Sequence, residues 1–253
     1  PYTTLFRSVR SYRAAQRGVY PGSPWSSAVG GPSSSPLIPV ARLVNLSARA
    51  VVAGGENALI AGVVVADTEA KRFLARGIGP TLATFGAGGV VPDPQLAIFG
   101  GGGGELARNS GWESGPEAGR IPGYARSVGA FALPAGSRDA ALASELRTGP
   151  YTVQVTTPSA RSGVGLAELY ELDAKGRTVN LSTRAAVRAG EGVLIGGFVT
   201  SGPAYKRMLI RAVGPALQAF GVGGFMRDPV LTLRAGQTVV ASNDRWAAAA
   251  NAS

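Results

Sequence analysis

The chain contains one short sequence twice, and this repetition limits what it can fold into. Residues 43–50 read LVNLSARA and residues 178–185 read TVNLSTRA, an offset of 135 positions. The same offset matches Glu56 with Glu191, Gly62 with Gly197, Lys71 with Lys206, Arg76 with Arg211, Gly79-Pro80 with Gly214-Pro215, Phe85-Gly86 with Phe220-Gly221, and Asp93-Pro94 with Asp228-Pro229. About half of the aligned positions are identical over the first sixty or so, far above chance for unrelated segments. The pattern predicts a tandem repeat.

The two copies differ in length. Copy one covers residues 41–174, and copy two covers residues 177–253 and has no counterpart of residues 113–173. We therefore expect two domains, a complete repeat followed by a partial one. The chain opens with PYTTLFRS, which resembles a translated sequencing adapter, and continues into a Ser/Pro/Gly-rich stretch. We expect residues 1–40 to be a non-native start plus a linker.

Composition indicates a globular chain and excludes several classes of function. Apolar residues make up 45% of the sequence and charged residues 16%, which is unlike a disordered chain. The net charge is +10, but the arginines are scattered and aromatic residues are few, so the pattern argues against nucleic-acid binding. No apolar run is long enough to insert into a membrane. Cysteine is absent, which excludes disulfides and thiolate metal sites.

Alternation of residue types predicts strands. In the opening phrase, Val44, Leu46, Ala48 and Ala50 alternate with polar residues, as in a strand with one face on a core. The continuous apolar runs 58–66 and 193–201 predict strands buried on both faces. Further strands are predicted at 71–79, 95–99, 105–109, 138–146, 151–157 and 165–172 in copy one, and at 206–214, 230–233 and 238–243 in copy two.

Two short stretches predict single helical turns rather than strands. Residues 80–86 and 215–221 each begin with Pro and end with Gly, which favours one turn of helix. About eight short strands in some 130 residues, with little helix, predict an all-β fold, a tandem antiparallel β-sandwich. The strand order is left open between jelly-roll and immunoglobulin-like.

The repeat resembles a known bacterial module. LVNLSARA, KRxLxRxxGPxLxxFG, DPxL, NxxW, YTVQV and GLAELYE together are similar to a tandem repeat of large secreted or cell-surface bacterial proteins, where it stands beside immunoglobulin-like modules. The last two strands resemble those of pre-peptidase C-terminal domains. The resemblance implies an extracellular, non-catalytic β-sandwich used as a spacer or in adhesion. Its implied partners are neighbouring domains of the same polypeptide, with a glycan or a surface protein as further candidates.

The residues themselves argue against catalysis. Histidine is absent, and neither a nucleophile elbow nor a P-loop occurs. The glycine run at residues 100–104 aligns with an ordinary loop in copy two, so we interpret it as a hairpin loop and not a phosphate cradle. Few acids are matched between the copies. We therefore expect no enzyme activity, no cofactor and no metal site.

Two matched tryptophans leave one alternative function open. Trp112 and Trp246 each follow an Asn-x-x sequence and could stack on a sugar ring. The alternative to a structural module is thus a carbohydrate-binding module of a secreted glycan-degrading enzyme. Burial in the core is the more usual role of such a side chain.

Arg76 and Arg211 are the most informative charges. Arg76 alternates with Leu74 and Ile78 on the third strand of copy one, and an arginine among apolar neighbours requires a partner. We predict structural ion pairs of Arg76 with Asp93 and of Arg211 with Asp228, with Glu168 as the second choice for Arg76. Copy two, with no counterpart of the last three strands, is expected to expose unpaired strand edges.

Overall fold

The structure is a computed structural model that describes residues 41–158, 160–245 and 247. The described residues form twelve strands and one short α-helix. The strands are β1 Arg42–Val52, β2 Leu59–Ala66, β3 Lys71–Ile78, β4 Gln95–Gly100, β5 Glu105–Asn109, β6 Ala140–Leu146, β7 Gly149–Thr156, β8 Gly163–Glu171, β9 Arg177–Arg184, β10 Ile195–Ser201, β11 Leu231–Ala235 and β12 Thr238–Asn243; the helix, α1, is Ile121–Ser127. The prediction of an all-β fold is confirmed. No helix among the described residues is long and apolar enough to cross a membrane.

The strands form two antiparallel five-stranded sheets and a separate hairpin. The first sheet has the order β10-β1-β8-β3-β6, the second has the order β5-β4-β7-β2-β9, and β11 pairs with β12. One apolar core lies between the two large sheets. Its buried members include Leu46, Ala48, Ala50, Leu59, Ala61, Val63, Phe73, Ala75, Leu96, Ile98, Val153, Val155, Ala167 and Leu169.

The alternation in β1 and β2 decides which residues enter this core. Leu46, Ala48 and Ala50 point inward as expected, whereas a register shift between Leu43 and Asn45 takes Val44 out of the ladder. The prediction that residues 58–66 are buried on both faces is wrong. Burial alternates along β2, because one face packs on the core while the other is only half-covered.

A second apolar layer covers the outer face of the first sheet. Leu74 and Ala141 project outward and pack against Trp112, Ile121 and Ala125. These last three residues belong to the segment between β5 and β6, which contains α1. This segment converts a sheet face that would otherwise meet solvent into a second small core.

The two predicted helical turns form with the same geometry. Residues Pro80–Phe85 and Pro215–Phe220 are both 3-10 helices, each closed by a glycine in the left-handed region. A side chain at Gly79 would collide with the carbonyl oxygen of Val91, and one at Gly214 with that of Met226. The glycine before each proline is thus required by a close backbone approach.

The first two strands of copy two, β9 and β10, pair with strands of copy one. β1 pairs with β10, so that Leu46 lies opposite Phe198 and Ser47 opposite Gly197. β2 pairs with β9, with Val63 opposite Leu181 and Gly62 opposite Ser182. Adding the repeat offset of 135 to Leu46 gives Leu181, and subtracting it from Phe198 gives Val63. The pair Leu46–Phe198 therefore corresponds to the pair Leu181–Val63. The two copies therefore exchange strand pairing reciprocally, in the manner of a two-fold symmetric interface.

One expectation for copy two is confirmed and another is wrong. In the described structure β9 and β10 each expose one unpaired edge, as expected, because each is hydrogen-bonded only along its other edge, to a strand of copy one. The predicted strand at residues 206–214 is absent from the described structure, where residues 205–213 form neither helix nor strand. Its counterpart β3 is flanked by β8 and β6, and no described segment of copy two supplies equivalents of those strands.

The register of β2 and β9 can be tested with a disulfide. A Cβ placed on Gly62 would lie 3.8 Å from the Cβ of Ser182, the usual separation in a disulfide. Because the chain has no cysteine, the variant Gly62→Cys/Ser182→Cys contains only the engineered pair. We expect complete cross-linking on oxidation and a gain in stability of about 4 kcal/mol from closing a long loop.

The matched control is Gly62→Cys/Thr183→Cys, in which the second cysteine lies on the opposite face of β9. Intact mass and non-reducing electrophoresis measure the extent of cross-linking. Equal cross-linking of both variants would contradict the observed register.

Candidate functional site

The most concentrated group of buried polar side chains surrounds Arg76 on β3. Its side chain is fully buried, and Glu168 lies directly opposite on β8. Arg76 Nε donates to Glu168 Oε2 at 2.8 Å, and Nη2 donates to the same oxygen. Nη1 donates to the carbonyl oxygen of Phe131 at 2.6 Å, and the guanidinium carbon lies 4.3 Å from the centroid of the Phe131 ring. Each of the three guanidinium nitrogens thus donates to a protein acceptor.

Tyr170 completes this group from two positions along β8. Its hydroxyl donates to Glu168 Oε1 at 2.7 Å. Burial raises the pKa of the Tyr170 hydroxyl well above its ordinary range, and the negative charge of Glu168 raises it further. Glu168 therefore uses one carboxylate oxygen for Arg76 and the other for Tyr170.

The ion pair predicted from the sequence is found with the second-choice partner. Arg76 is buried as expected, but it pairs with Glu168. Asp93, the first-choice partner, instead accepts a hydrogen bond from the Thr157 hydroxyl. Sequence spacing favoured Asp93 because it is only 17 positions away, whereas Glu168 is 92 positions away and is brought in by strand pairing.

The counterparts of Arg76 and Asp93 in copy two have a different environment. Arg211 and Asp228, predicted to pair, are both exposed, and no ion pair between them is found in the described structure. Leu209 is 84% exposed, while its counterpart Leu74 is fully buried. The contrast follows from the strands around each arginine, because β8 supplies the glutamate only to copy one.

A second buried cation lies at one end of the sandwich. Lys71 is fully buried, and its Nζ lies 3.1 Å from Glu171 Oε2. It also donates to the carbonyl oxygens of Asp173 at 3.0 Å and Lys175 at 2.7 Å. These carbonyls belong to the segment that leads into β9. Lys71 thus ties copy one to the start of copy two.

Glu171 joins this connection from β8. It accepts from Arg42 Nη2 at 2.9 Å and from the Thr178 hydroxyl at 2.6 Å, in addition to its contact with Lys71. The sequence reasoning missed Lys71 and Glu171. A signal was present, because Lys71 and Lys206 are two of only three lysines in the chain and occupy matched positions.

Asp139 is a third buried charge that the sequence reasoning missed. Its carboxylate accepts the backbone N–H of Gly79 at 2.7 Å and both the N–H and the hydroxyl of Thr81. It therefore holds the start of the 3-10 helix Pro80–Phe85. This carboxylate acts as a helix-terminus acceptor, a structural role.

Trp112 offers little surface to a sugar. Trp112 is only 8% exposed, packs in the layer over the first sheet and donates its indole N–H to the carbonyl oxygen of Pro134 at 3.2 Å. Its ring faces are consequently covered by protein. Trp246, the other predicted ligand contact, lies outside the described residues.

The arrangement shows no convergent reactive groups. Within the described residues, no cluster of three or more Asp or Glu side chains could hold a metal ion. Arg76, Glu168, Lys71, Glu171 and Asp139 are each engaged by other protein groups at short distance. What this set of charges can do is hold strands and the covering segment in place.

Comparison with known proteins adds no assignment. No protein-family model matches the chain, and no curated protein matches it.

The Arg76–Glu168 pair can be tested against its repeat counterpart. We expect Arg76→Ala to lower the free energy of unfolding by about 3 kcal/mol or more, because it leaves the Glu168 carboxylate buried without its cation. The matched control, Arg211→Ala, changes an exposed arginine at the same repeat position and should cost less than about 0.5 kcal/mol. Chemical denaturation of the three proteins measures the difference, and equal effects of the two substitutions would contradict the structural role.

The buried hydroxyl of Tyr170 leads us to expect a loss of stability at alkaline pH. Its pKa is raised in the folded state, so the unfolded chain releases this proton at a lower pH than the folded chain does. The stability that protonated Tyr170 contributes is therefore present below about pH 10 and is lost as the pH rises above it. We expect the free energy of unfolding to fall more steeply in the native chain than in Tyr170→Phe, by up to about 1.4 kcal/mol per pH unit. The control is Tyr205→Phe, at a residue 90% exposed, which should keep the native slope. Chemical denaturation at pH values from 9 to 11 measures how the free energy of unfolding depends on pH. Identical pH dependence in the native and Tyr170→Phe proteins would disprove the prediction.

Proposed function

We propose that this chain is a non-catalytic structural repeat module, a spacer of a large secreted or cell-surface bacterial protein. The observation that carries the proposal is the reciprocal pairing of β1 with β10 and of β2 with β9. Through it, the two large sheets run continuously across the boundary between the copies. A junction made by two sheets resists bending far better than a flexible linker, which is the property that a spacer needs.

The strand pairing of copy one supports a definite sandwich type. β1 pairs with β8, β2 with β7, β3 with β6 and β4 with β5. This nested pairing of first with last is the order of an eight-stranded jelly roll, whereas an immunoglobulin-like sandwich pairs its strands differently. Such an order leaves β1 and β2 as the two outer strands on one side. Copy two covers both of them.

The charges of copy one also support a structural role. A catalytic site presents titratable groups to a cleft, where their pKa values suit the reaction. Here Arg76 with Glu168 fastens the covering layer, and Lys71 with Glu171 fastens the junction. The extracellular location is part of the proposal and depends on the resemblance of the repeat to modules of bacterial surface proteins.

A distance measurement tests whether the junction is rigid. Spin labels on Arg108→Cys in β5 and Arg184→Cys in β9 would sit on strands four spacings apart in one sheet, roughly 19 Å. We expect one narrow distance distribution by pulsed electron paramagnetic resonance. Leu181→Asp, which places a charge where Leu181 packs on the core, should broaden it, and Val240→Asp on the separate hairpin should not.

A broad distribution in the labelled native chain would contradict a spacer built on this junction. A glycan array provides the complementary measurement. Polysaccharide binding that is lost in Trp246→Ala would favour the carbohydrate-binding alternative.

A further inference from the structure

The contact between the two copies is made by the same strands of the repeat on both sides. β1 and β2 pair with β8 and β7 of copy one along one edge, and with β10 and β9 along the other. β9 and β10 are themselves the repeat counterparts of β1 and β2. We define the pairing edge as those edges of β1 and β2 that β10 and β9 occupy. This edge is independent of the strand pairs that build the sandwich of copy one.

The two halves of this contact share one register along their whole length. All seven residue pairs of β1 with β10 become the seven pairs of β2 with β9 when the offset of 135 is added to one partner and subtracted from the other. The irregularity is shared too, because the register shift that skips Val44 in β1 recurs at Val179 in β9. A contact with this two-fold relation is self-complementary.

The β2–β9 half already contains residue pairs that two molecules of copy one would make with each other. Four residues of β2 lie opposite four residues of β9: Val64, Val63, Gly62 and Ile60 opposite Asn180, Leu181, Ser182 and Arg184. The counterparts of these β9 residues in β1 have the same identities: Asn45, Leu46, Ser47 and Arg49. β1 of a second chain therefore fits against β2 in the place of β9.

The pairing is closed once two copies have met. Each copy offers one pairing edge and receives the pairing edge of the other, so that the described pair uses β1 and β2 of copy one and β9 and β10 of copy two. A third copy finds this edge occupied on both partners. Self-complementary contacts of this kind stop at two members, whereas head-to-tail contacts can continue into filaments.

We propose that the pairing edge is a docking surface for exactly one second copy of this repeat, supplied by the same chain or by another chain. The proposal rests on the reciprocal pairing that carries the proposed function, and it adds that two parent chains can be joined through the repeat. When copy two leaves the edge, copy one of one chain pairs with copy one of another. Leu46 then lies opposite Val63, and Ser47 opposite Gly62, across the two chains.

Displacement of copy two within the full chain tests the proposal. Leu181→Asp/Phe198→Asp places one carboxylate opposite Val63 and one opposite Leu46, where both would be buried without a partner. We expect this displaced variant to sediment at twice the 25.6 kDa of the chain, because its pairing edge is open to a second chain. The control, Val239→Asp/Val240→Asp, adds the same charge to a hairpin that pairs with no strand of copy one and should remain monomeric.

A disulfide reports the register of the expected dimer. A Cβ on Gly62 lies 3.8 Å from that of Ser182, the counterpart of Ser47, so Ser47→Cys/Gly62→Cys in the displaced variant should cross-link two chains on oxidation. Ser47 and Gly62 of one chain cannot bridge, because they project from the outer faces of two sheets about 10 Å apart. In the control, Ser47→Cys/Ala61→Cys, the second position points into the core, and we expect no cross-link.

A second measurement applies if the displaced variant does not fold. Two otherwise native chains, one with Ser47→Cys and one with Gly62→Cys, are unfolded and refolded together at roughly millimolar concentration, which matches the effective concentration of modules on a short linker. Pairing between chains then competes with pairing within a chain, and mixed disulfides should form. Chains with Ser47→Cys and Ala61→Cys are the control and should form none.

Four results would overturn the proposal. A displaced variant that protects the strand amides of copy one in hydrogen exchange and yet stays monomeric is the first. The second is a dimer that Ser47→Cys/Gly62→Cys does not cross-link, and the third is a cross-linked assembly larger than a dimer. The fourth is an unfolded displaced variant together with no mixed disulfide after joint refolding. A narrow spin-label distance in the native chain alongside any of these results would keep the spacer function and reject only the pairing between chains.

Discussion

Pairing of strand edges is the constraint on which the rest of this structure depends. The nested strand order of copy one leaves β1 and β2 at the side of the sandwich, each with one row of backbone donors and acceptors to satisfy. β10 and β9 satisfy them at registers related by the repeat offset. The close approach of β2 and β9 suits a glycine in the middle of an otherwise apolar strand, since a Cβ at Gly62 would force the Ser182 hydroxyl to rotate away.

Buried charges in copy one stabilise the positions of elements that are distant in sequence. Arg76 joins β3 to β8 and to the covering segment at Phe131. Lys71 joins β3 to the chain that leads into β9. A buried ion pair adds little stability compared with a well-packed apolar pair, but loss of one partner is costly. Such pairs therefore favour a single arrangement of the strands over alternatives in which a charge would be buried alone.

Two matched sequences that share half of their residues adopt different structures in the two copies. KRFLARGI is the strand β3, whereas the matching KRMLIRAV is not in a strand. The adjoining helical turns, by contrast, have closely similar backbone angles at their first glycine, with φ −135° and ψ −78° in one and φ −124° and ψ −82° in the other. The helical turn closes its own hydrogen bonds within six residues. A strand obtains its hydrogen bonds from neighbours, so it depends on which neighbours are present.

The sequence by itself determined the features that depend on local patterns. Alternation predicted that Leu46, Ala48 and Ala50 face the core, proline and glycine predicted the helical turns, and apolar flanks predicted that Arg76 is buried. Only the tertiary structure decided the partner of Arg76, since Glu168 reaches it through the pairing of β3 with β8 across 92 positions. It also decided that β9 and β10 extend the sheets of copy one. Strand partnership is set by long-range packing and by the satisfaction of edges, and a single sequence does not show which distant strands will meet.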